Sequence, residues 1–460
     1  MSCEPVRQRA LEILLAVEDG ENLDPHLERG LNEMPDARAA AFLAELVRGT
    51  LQWQGRYDHV ITGFSRKRPP NDPVLVCILR LALHQMLGLD GVPAYAAIHQ
   101  AGELCRLKAG RGKVGFINGM LQAIRRQVVG EHPDPESREK RLREIFTDYE
   151  NDRARWLAAW YSLPPWLVSR WVGNFGPRDA DTLCAWINEP VALYLHVLAG
   201  TPVPEAAQQL AELGILTEAV GGPRTLRVIE RPGRVKLREA LARLPFFIVQ
   251  DATVQAATHW LASDLKADRP VLDMCAAPGG KTVHLRALLP DDISIVAMDN
   301  RPDRLDLLDD TVKRVAVGQI LLLMGNGERP PFAPGTFGGI LLDGPCSGTG
   351  VLRHHPDGRW RLKAKTPQVK AVTLLALARQ AADLLAPGGR LMYATCSLEP
   401  EENDQVLTAL LDGRKDLEPD PDSDGVWRRY WLPQARRKKK AIGDGFFAAR
   451  LRKISPDEES

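Results

Sequence analysis

From Phe246 to the C-terminus, short apolar runs alternate with helical segments, and no other feature limits the fold of this chain as tightly. The strand-like runs are 271–275, 293–298, 319–324, 338–342, 390–394 and 446–451, and helical-period segments at 281–289, 301–314 and 367–385 lie between them. Alternation of this kind predicts an α/β architecture built on a mostly parallel, doubly wound sheet. Open sheets of that type hold their ligands at the carboxyl ends of the strands. Those ends are therefore where the chemistry is sought.

Two of them carry cysteines. Cys346 lies in Asp343-Gly344-Pro345-Cys346-Ser347-Gly348, and Cys396 in Thr395-Cys396-Ser397. A buried cysteine is usually an inert small hydrophobe, the reading that suits Cys3, Cys77, Cys105 and Cys184. Cys346, bracketed by Pro and Gly, and Cys396, ending a strand beside a threonine, read instead as functional. A third strand end supplies a glycine turn, Cys275-Ala276-Ala277-Pro278-Gly279-Gly280-Lys281 followed by Thr282. Glycines there let backbone approach a ligand, and a helix N-terminus follows. Gly280-Lys281-Thr282 fits the end of a phosphate loop, but Cys275 stands where that loop needs its first glycine, and no Gly-x-Gly-x-x-Gly occurs at this turn. A nucleoside without a pyrophosphate is the ligand left. Asp299, ending the next strand, is placed for ribose hydroxyls, and Asn326, after the third, for an adenine edge. Either residue alone also reads as a helix or turn cap. A glycine turn with two strand-end cysteines points to cofactor-assisted chemistry by a thiolate nucleophile.

The first 130 residues carry helical periodicity, as in Val6, Ala10, Ile13, Leu14 and Val17, and predict an α-helical bundle of about six helices. Residues 131–155 turn polar and read as a linker. Residues 156–245 are mixed and read as a small α+β module, leaving 246–455 to the sheet domain. Net charge is +1, from 60 Lys and Arg against 59 Asp and Glu, so bulk charge selects no partner. The segment 422–440 holds seven basic and two acidic residues, ending in Arg436-Arg437-Lys438-Lys439-Lys440, beside Trp427, Tyr430 and Trp431. It reads either as a solvated loop or as a grip on a phosphate backbone with stacked bases. Seven cysteines without a Cys-x-x-Cys pair argue against a zinc site and for a reducing compartment. No apolar run is long enough to span a bilayer and no signal-peptide core is present. A cytoplasmic protein, monomeric, with no metal and no membrane partner, is expected.

With these motifs in place, the sheet domain resembles the RNA cytosine-5 methyltransferases that use S-adenosylmethionine. Asp273 to Thr282 looks like that family's cofactor loop, Asp343 to Gly348 like its first cysteine motif and Thr395-Cys396-Ser397 like its second. Val249-Gln250-Asp251, His355-Pro356-Asp357, Glu401-Glu402-Asn403 and Asp444-Gly445-Phe446-Phe447 match as well. The N-terminal part is similar to the NusB-like RNA-binding domain, through Ile98-His99-Gln100-Ala101, Glu103-Leu104 and Gly115-Phe116-Ile117-Asn118-Gly119 with Leu121. The combination resembles the bacterial 16S rRNA methyltransferases of the RsmB/Sun type. Three positions depart from the pattern: Gly344 for a usual Ala, Asn326 for a usual Asp, and His196-Val197-Leu198 for a common Arg-Val-Asn. The second predicts a weaker hold on adenine, and the third bears on RNA placement.

The resemblance implies a Rossmann-like methyltransferase domain with S-adenosyl-L-methionine held by residues 275–281, Asp299, Asn326 and Asp343. It implies catalysis by Cys396, Cys346 and Asp343 on an RNA, rRNA first. Carbon 5 of cytosine is a poor nucleophile, and a thiolate added at carbon 6 turns the ring into an enamine that takes a methyl group. The family gives that addition to Cys396, product release to Cys346 and a hydrogen bond near ring nitrogen 3 to Asp343. The cytosine must be unpaired or flipped to be reached. The same chemistry on tRNA, or a ribosome-assembly RNA-binding protein with weak or lost activity, are the competing expectations.

Overall fold

The computed structural model describes residues 4–455 except 66–67, 131–133, 150–151, 199, 223, 231–236, 238, 240–241, 266–267, 316–317 and 433–442. Cys3 and the basic run Arg436 to Lys440 lie outside the described residues. The chain divides into two compact units, one of residues 1–189 with 353–363, the other of residues 190–352 with 364–460.

The first unit is helical. Helices Pro5–Glu18, Leu23–Asn32, Ala37–Gly63, Pro73–Leu87, Ala94–Lys108 and Val114–Ile124 share one core that includes Leu11, Leu14, Leu46, Ile78 and Leu121. The expected bundle is there, but its boundary moves. Residues 131–155, read as a linker, contain the helix Pro135–Arg143 and a tight turn of helix Glu144–Tyr149. Leu142 and Phe146 from this stretch are buried in the same core as the preceding helices. The polar composition describes the outer face of those short helices and hides two apolar anchors. Helices Arg153–Tyr161 and Pro165–Trp186 also count with this unit, so the α+β module starts after Glu189 and not at 156. Arg359, fully buried, shows why residues 353–363 belong here. Its guanidinium donates to the carbonyls of Gln52 (3.2 Å) and Ser162 (3.3 Å) and to Asn188 Oδ1 (3.0 Å).

The second unit holds two sheets. Strands β1 (Tyr194–Val197), β2 (Leu216–Ala219), β3 (Thr225–Glu230) and β4 (Phe247–Val249) form an antiparallel sheet in the order β2-β3-β1-β4. His196, placed by the sequence in doubt about RNA, is buried in β1. Its Nδ1 lies 3.0 Å from Gln255 Oε1, its ring is 3.9 Å from that of His284, and burial pushes its pKa down to about 4. It is a neutral packing residue.

The large sheet contains β5 (Val271–Asp273), β6 (Ile295–Asp299), β7 (Ile320–Met324), β8 (Phe337–Asp343), β9 (Leu385–Thr395), β10 (Leu417–Pro419), β11 (Arg428–Trp431) and β12 (Phe446–Lys453). Its order is β10-β12-β9-β8-β5-β6-β7, with β11 beside β12. The five strands β9-β8-β5-β6-β7 run parallel, and β12 returns antiparallel along β9. One apolar cluster packs helices Thr366–Leu384 and Asp404–Asp412 on the sheet, through Leu374, Leu377 and Leu407. A second packs helices Ala252–Ala262 and Gly280–Leu288 on it, through Ala257, Leu261 and Leu285. This is the doubly wound architecture expected from the alternation. Strand β11 was not, because the stretch around Trp427, Tyr430 and Trp431 reads either as a solvated loop or as a phosphate grip with stacked bases. Tyr430 packs 4.6 Å from the Phe447 ring and donates to Asp404 (2.8 Å), and Trp431 meets Trp260 edge-on at 5.9 Å. These rings are structural. Among the described residues no helix is long and apolar enough to cross a membrane, and no cluster of His, Cys, Asp and Glu is suited to a metal ion.

Candidate active site

Strand order sets the site. The chain leaves β5 toward β6 on one side, while β8 pairs on the other, so the sheet's topological switch lies between β5 and β8, where such folds take ligands. A pocket of ≈ 220 Å³ opens there, lined by Cys275 to Pro278, Gly280 and Lys281, with Asp273 and Asp343 at the strand ends and Val249, Gln250 and Val254 opposite. Gly279 does not line it but makes the turn possible. Its φ is +103°, and a Cβ would stand 2.7 Å from Leu308 Cδ1, so glycine alone fits.

Asp299 lies beneath this loop. Its Oδ2 accepts from the Ala277 amide (3.3 Å) and its Oδ1 from the Arg301 amide (3.1 Å). Asn326 is exposed, and its Oδ1 accepts from the Glu328 amide at 2.9 Å, the turn-capping role. Neither lines the pocket as the loop does.

Two pocket residues went unassigned in the sequence. Gln250 is buried, with Oε1 2.8 Å from His284 Nδ1, and its Nε2 has no partner. Asp273 is buried too. Its Oδ2 accepts from Thr282 Oγ1 (2.7 Å) and its Oδ1 has no partner. Buried polar groups are nearly always paired. An orphan acceptor and an orphan donor on one pocket therefore suit a ligand bearing both an ammonium and a carboxylate. Their signal in the sequence was the family match, Gln250 in Val249-Gln250-Asp251 and Asp273 at the head of the cofactor loop, with no role given to either side chain.

Beside the pocket stand the cysteines. Parallel pairing of Asp343 with Ala394 brings the loops after β8 and β9 side by side, and Cys346 Sγ lies 3.1 Å from Cys396 Sγ. Lys281 donates to Asp343 Oδ2 at 2.6 Å. Burial would discharge this ammonium, but Asp343, Cys396 and Asp273 outweigh it and raise its pKa above the ordinary lysine range. The hydrogen bond to Cys396, burial and the nearby Glu402 and Asp343 carboxylates push the Cys346 thiol well up. The carboxylates thus disfavour an anion at Cys346. Burial also raises Cys275 well above a normal thiol, which makes it a neutral wall of the pocket.

Residues 260–452 match the family model of the 16S rRNA methyltransferase RsmB/F, and residues 4–126 that of the NusB family. A relative from Synechocystis, named "Probable ribosomal RNA small subunit methyltransferase B", is 32% identical over 94% of each chain. The chain belongs to the RsmB/F methyltransferase family. A ribosomal RNA small subunit methyltransferase B of Shigella boydii is 30% identical over 95% of each chain. In fold, the crystal structure of PH0851 superposes with a TM-score of 0.73 at 24% identity, covering 98% of this chain and 100% of that one. NSun6 from Pyrococcus horikoshii, solved with SFG, superposes over 64% of this chain and 98% of its own at a TM-score of 0.54 and 19% identity.

Burial raises the pKa of Asp273 to about 7, from about 3.9 in an unfolded chain. The folded protein therefore keeps a proton that the unfolded chain releases between about pH 4 and pH 7, and stability from this group falls as pH rises through that window. Asp273→Asn cannot ionise and keeps an acceptor for Thr282. It should be more stable than the parent by on the order of 2 kcal/mol at pH 8 and by little near pH 4. Urea midpoints at the two pH values read this, and an equal gain at both would contradict it.

Proposed function

We propose that the chain methylates carbon 5 of a cytosine in small-subunit ribosomal RNA, with S-adenosylmethionine as donor. The observation that carries the reading is the pair of strand-end sulfurs, 3.1 Å apart, beside a pocket with unfilled amino-acid valences. Asp273 Oδ1 would take the cofactor's ammonium, and Gln250 Nε2 and the N-terminus of helix Gly280–Leu288 its carboxylate. Asp299 would turn to the ribose. When bound, the cofactor supplies an electrophilic methyl group on a sulfonium. Asn326, in its present turn, supports only a weak adenine contact.

Cys396 is the proposed nucleophile. Its thiolate adds at carbon 6, and the ring electrons move to carbon 5. Asp343 hydrogen-bonds the ring near nitrogen 3 and stabilises the protonated adduct. After methylation and loss of the carbon 5 proton to solvent, the S–C6 bond breaks and Cys396 leaves as thiolate. A Cys346 S–H donating across 3.1 Å to that sulfur eases the departure. The small-subunit target is supported by the names of full-length relatives and by the NusB family match.

Cys396→Ala should abolish methyl transfer and any covalent RNA adduct. Cys346→Ala should still attack and accept the methyl group, but turn over about 100-fold more slowly, within the range of one general-acid contribution, and accumulate a denaturant-resistant protein–RNA complex. Gel analysis with labelled RNA distinguishes these outcomes, and the opposite pattern swaps the roles.

For the RNA grip we propose a groove of ≈ 1140 Å³ in the helical unit, bordered by exposed Tyr95 and by Arg125 and Arg126. Arg138 there is already paired with Asp90 at 2.9 Å. Arg125→Ala with Arg126→Ala should weaken RNA binding at low salt and reduce the log–log salt slope by about 1–2. An unchanged slope would remove the groove from the interface.

A further inference from the structure

One buried carboxylate joins the two cysteine loops. Glu402 is fully buried and accepts from Ser347, the residue after Cys346, through both the amide (2.6 Å) and the hydroxyl (2.5 Å). It also accepts from the hydroxyl of Ser397, the residue after Cys396, at 2.5 Å. Three donors converging on two oxygens is what an ionised carboxylate accommodates. Its neighbour Asn403 holds the second loop, accepting from Thr395 Oγ1 (2.6 Å) and donating to the Ser397 carbonyl (2.9 Å). A merely structural acid would need no such symmetry. The residues contacted are the ones that follow each sulfur, so the carboxylate fixes the loops against each other at the points where the thiols emerge.

We propose that Glu402 is a positioning residue of the reaction: it holds the two sulfurs at contact distance and keeps the proton of the pair on Cys346. The proposal rests on the reading that Cys396 attacks and Cys346 assists release. Groups facing the Cys346 sulfur are Cys396, Glu402, Asp343 and the Tyr393 hydroxyl. The anionic ones among them oppose a thiolate at Cys346. The cation of the site, Lys281, acts on Cys396. A proton on Cys346 is thereby favoured, 3.1 Å from the Cys396 sulfur to which it would be donated. Glu402 reaches neither substrate nor cofactor in this scheme, and it acts through the two cysteines.

Two variants separate geometry from charge, and neither readout depends on methylation. Phenylarsine oxide bridges two thiols only when they are near contact, so the parent should bind one equivalent and Cys346→Ala or Cys396→Ala at least 100-fold more weakly. Glu402→Ala removes the clamp and should lose at least tenfold in arsenical affinity while binding S-adenosylhomocysteine within threefold of the parent. Glu402→Gln keeps an acceptor for the Ser347 amide and should hold the arsenical within threefold. It should also move the pH midpoint of iodoacetamide alkylation at Cys346, read in a Cys396→Ser background, to lower pH by one unit or more. Parent-level arsenical binding in Glu402→Ala, or an unmoved midpoint in Glu402→Gln, overturns the proposal. Full methyl transfer by Cys396→Ala would instead overturn the thiol mechanism and leave the measured clamp standing.

Discussion

The site depends first on the parallel register of β8 against β9, because that ladder alone decides that two cysteines fifty residues apart share one crevice. Asp343 faces Ala394, and each chain then turns away within three residues, carrying Cys346 and Cys396 to the same end of the sheet. Register in a sheet buried on both faces is strongly specified, since a slip of one residue would turn every side chain over. Backbone packing completes the lock. The Gly350 amide donates to the Cys396 carbonyl and its own carbonyl accepts from Gly445, both at 2.9 Å. A Cβ on Gly350 would come within 2.3 Å of the Gly445 oxygen, so the first cysteine loop, the second and the start of β12 are closed on one another without room for a side chain.

Acids crowd this crevice. Asp273 and Asp343 stand at the pocket and Glu402 at the cysteine loops; Lys281 answers the first two, and Arg304 holds the Ala277 carbonyl of the pocket loop at 2.7 Å. In a poorly hydrated site an unpaired charge is costly, so Asp273 drifts toward neutrality while Lys281 stays charged between Asp343 and Cys396. The same imbalance suits the donor proposed above, because an incoming ammonium and sulfonium would relieve the excess of acid.

Much of this was legible in the residues. Six runs read as strands correspond to β5, β6, β7, β8, β9 and β12, because buried parallel strands are short, apolar and bounded by turn residues. The cysteine motifs, the glycine turn and the family resemblance were visible because they are contiguous. What was hidden was long-range or masked by composition. Leu142 and Phe146 are lost in a charged stretch, yet they seat residues 135–149 in the helical core. Tyr430 and Trp431 carry the signature of a stacking surface but pack against Phe447 and Trp260, and only the pairing of β11 with β12 reveals it. Gln250, Asp273 and Glu402 lie in stretches that match the family, but their roles have no local signature, because an unfilled hydrogen-bond valence or a shared carboxylate exists only once distant segments meet.

The central claim is that Cys396 attacks carbon 6 of a cytosine, and the most direct measurement is the site of covalent attachment in a trapped complex. RNA carrying 5-fluorocytosine at the target accepts the thiol and the methyl group but has no carbon 5 proton to lose, so the S–C6 bond cannot be released. Incubation of the unaltered protein with this RNA and S-adenosylmethionine, followed by digestion and peptide mass spectrometry, should place the methylated nucleotide on the peptide containing Cys396. Attachment at Cys346, or methyl transfer with no covalent complex at either cysteine, would contradict the account.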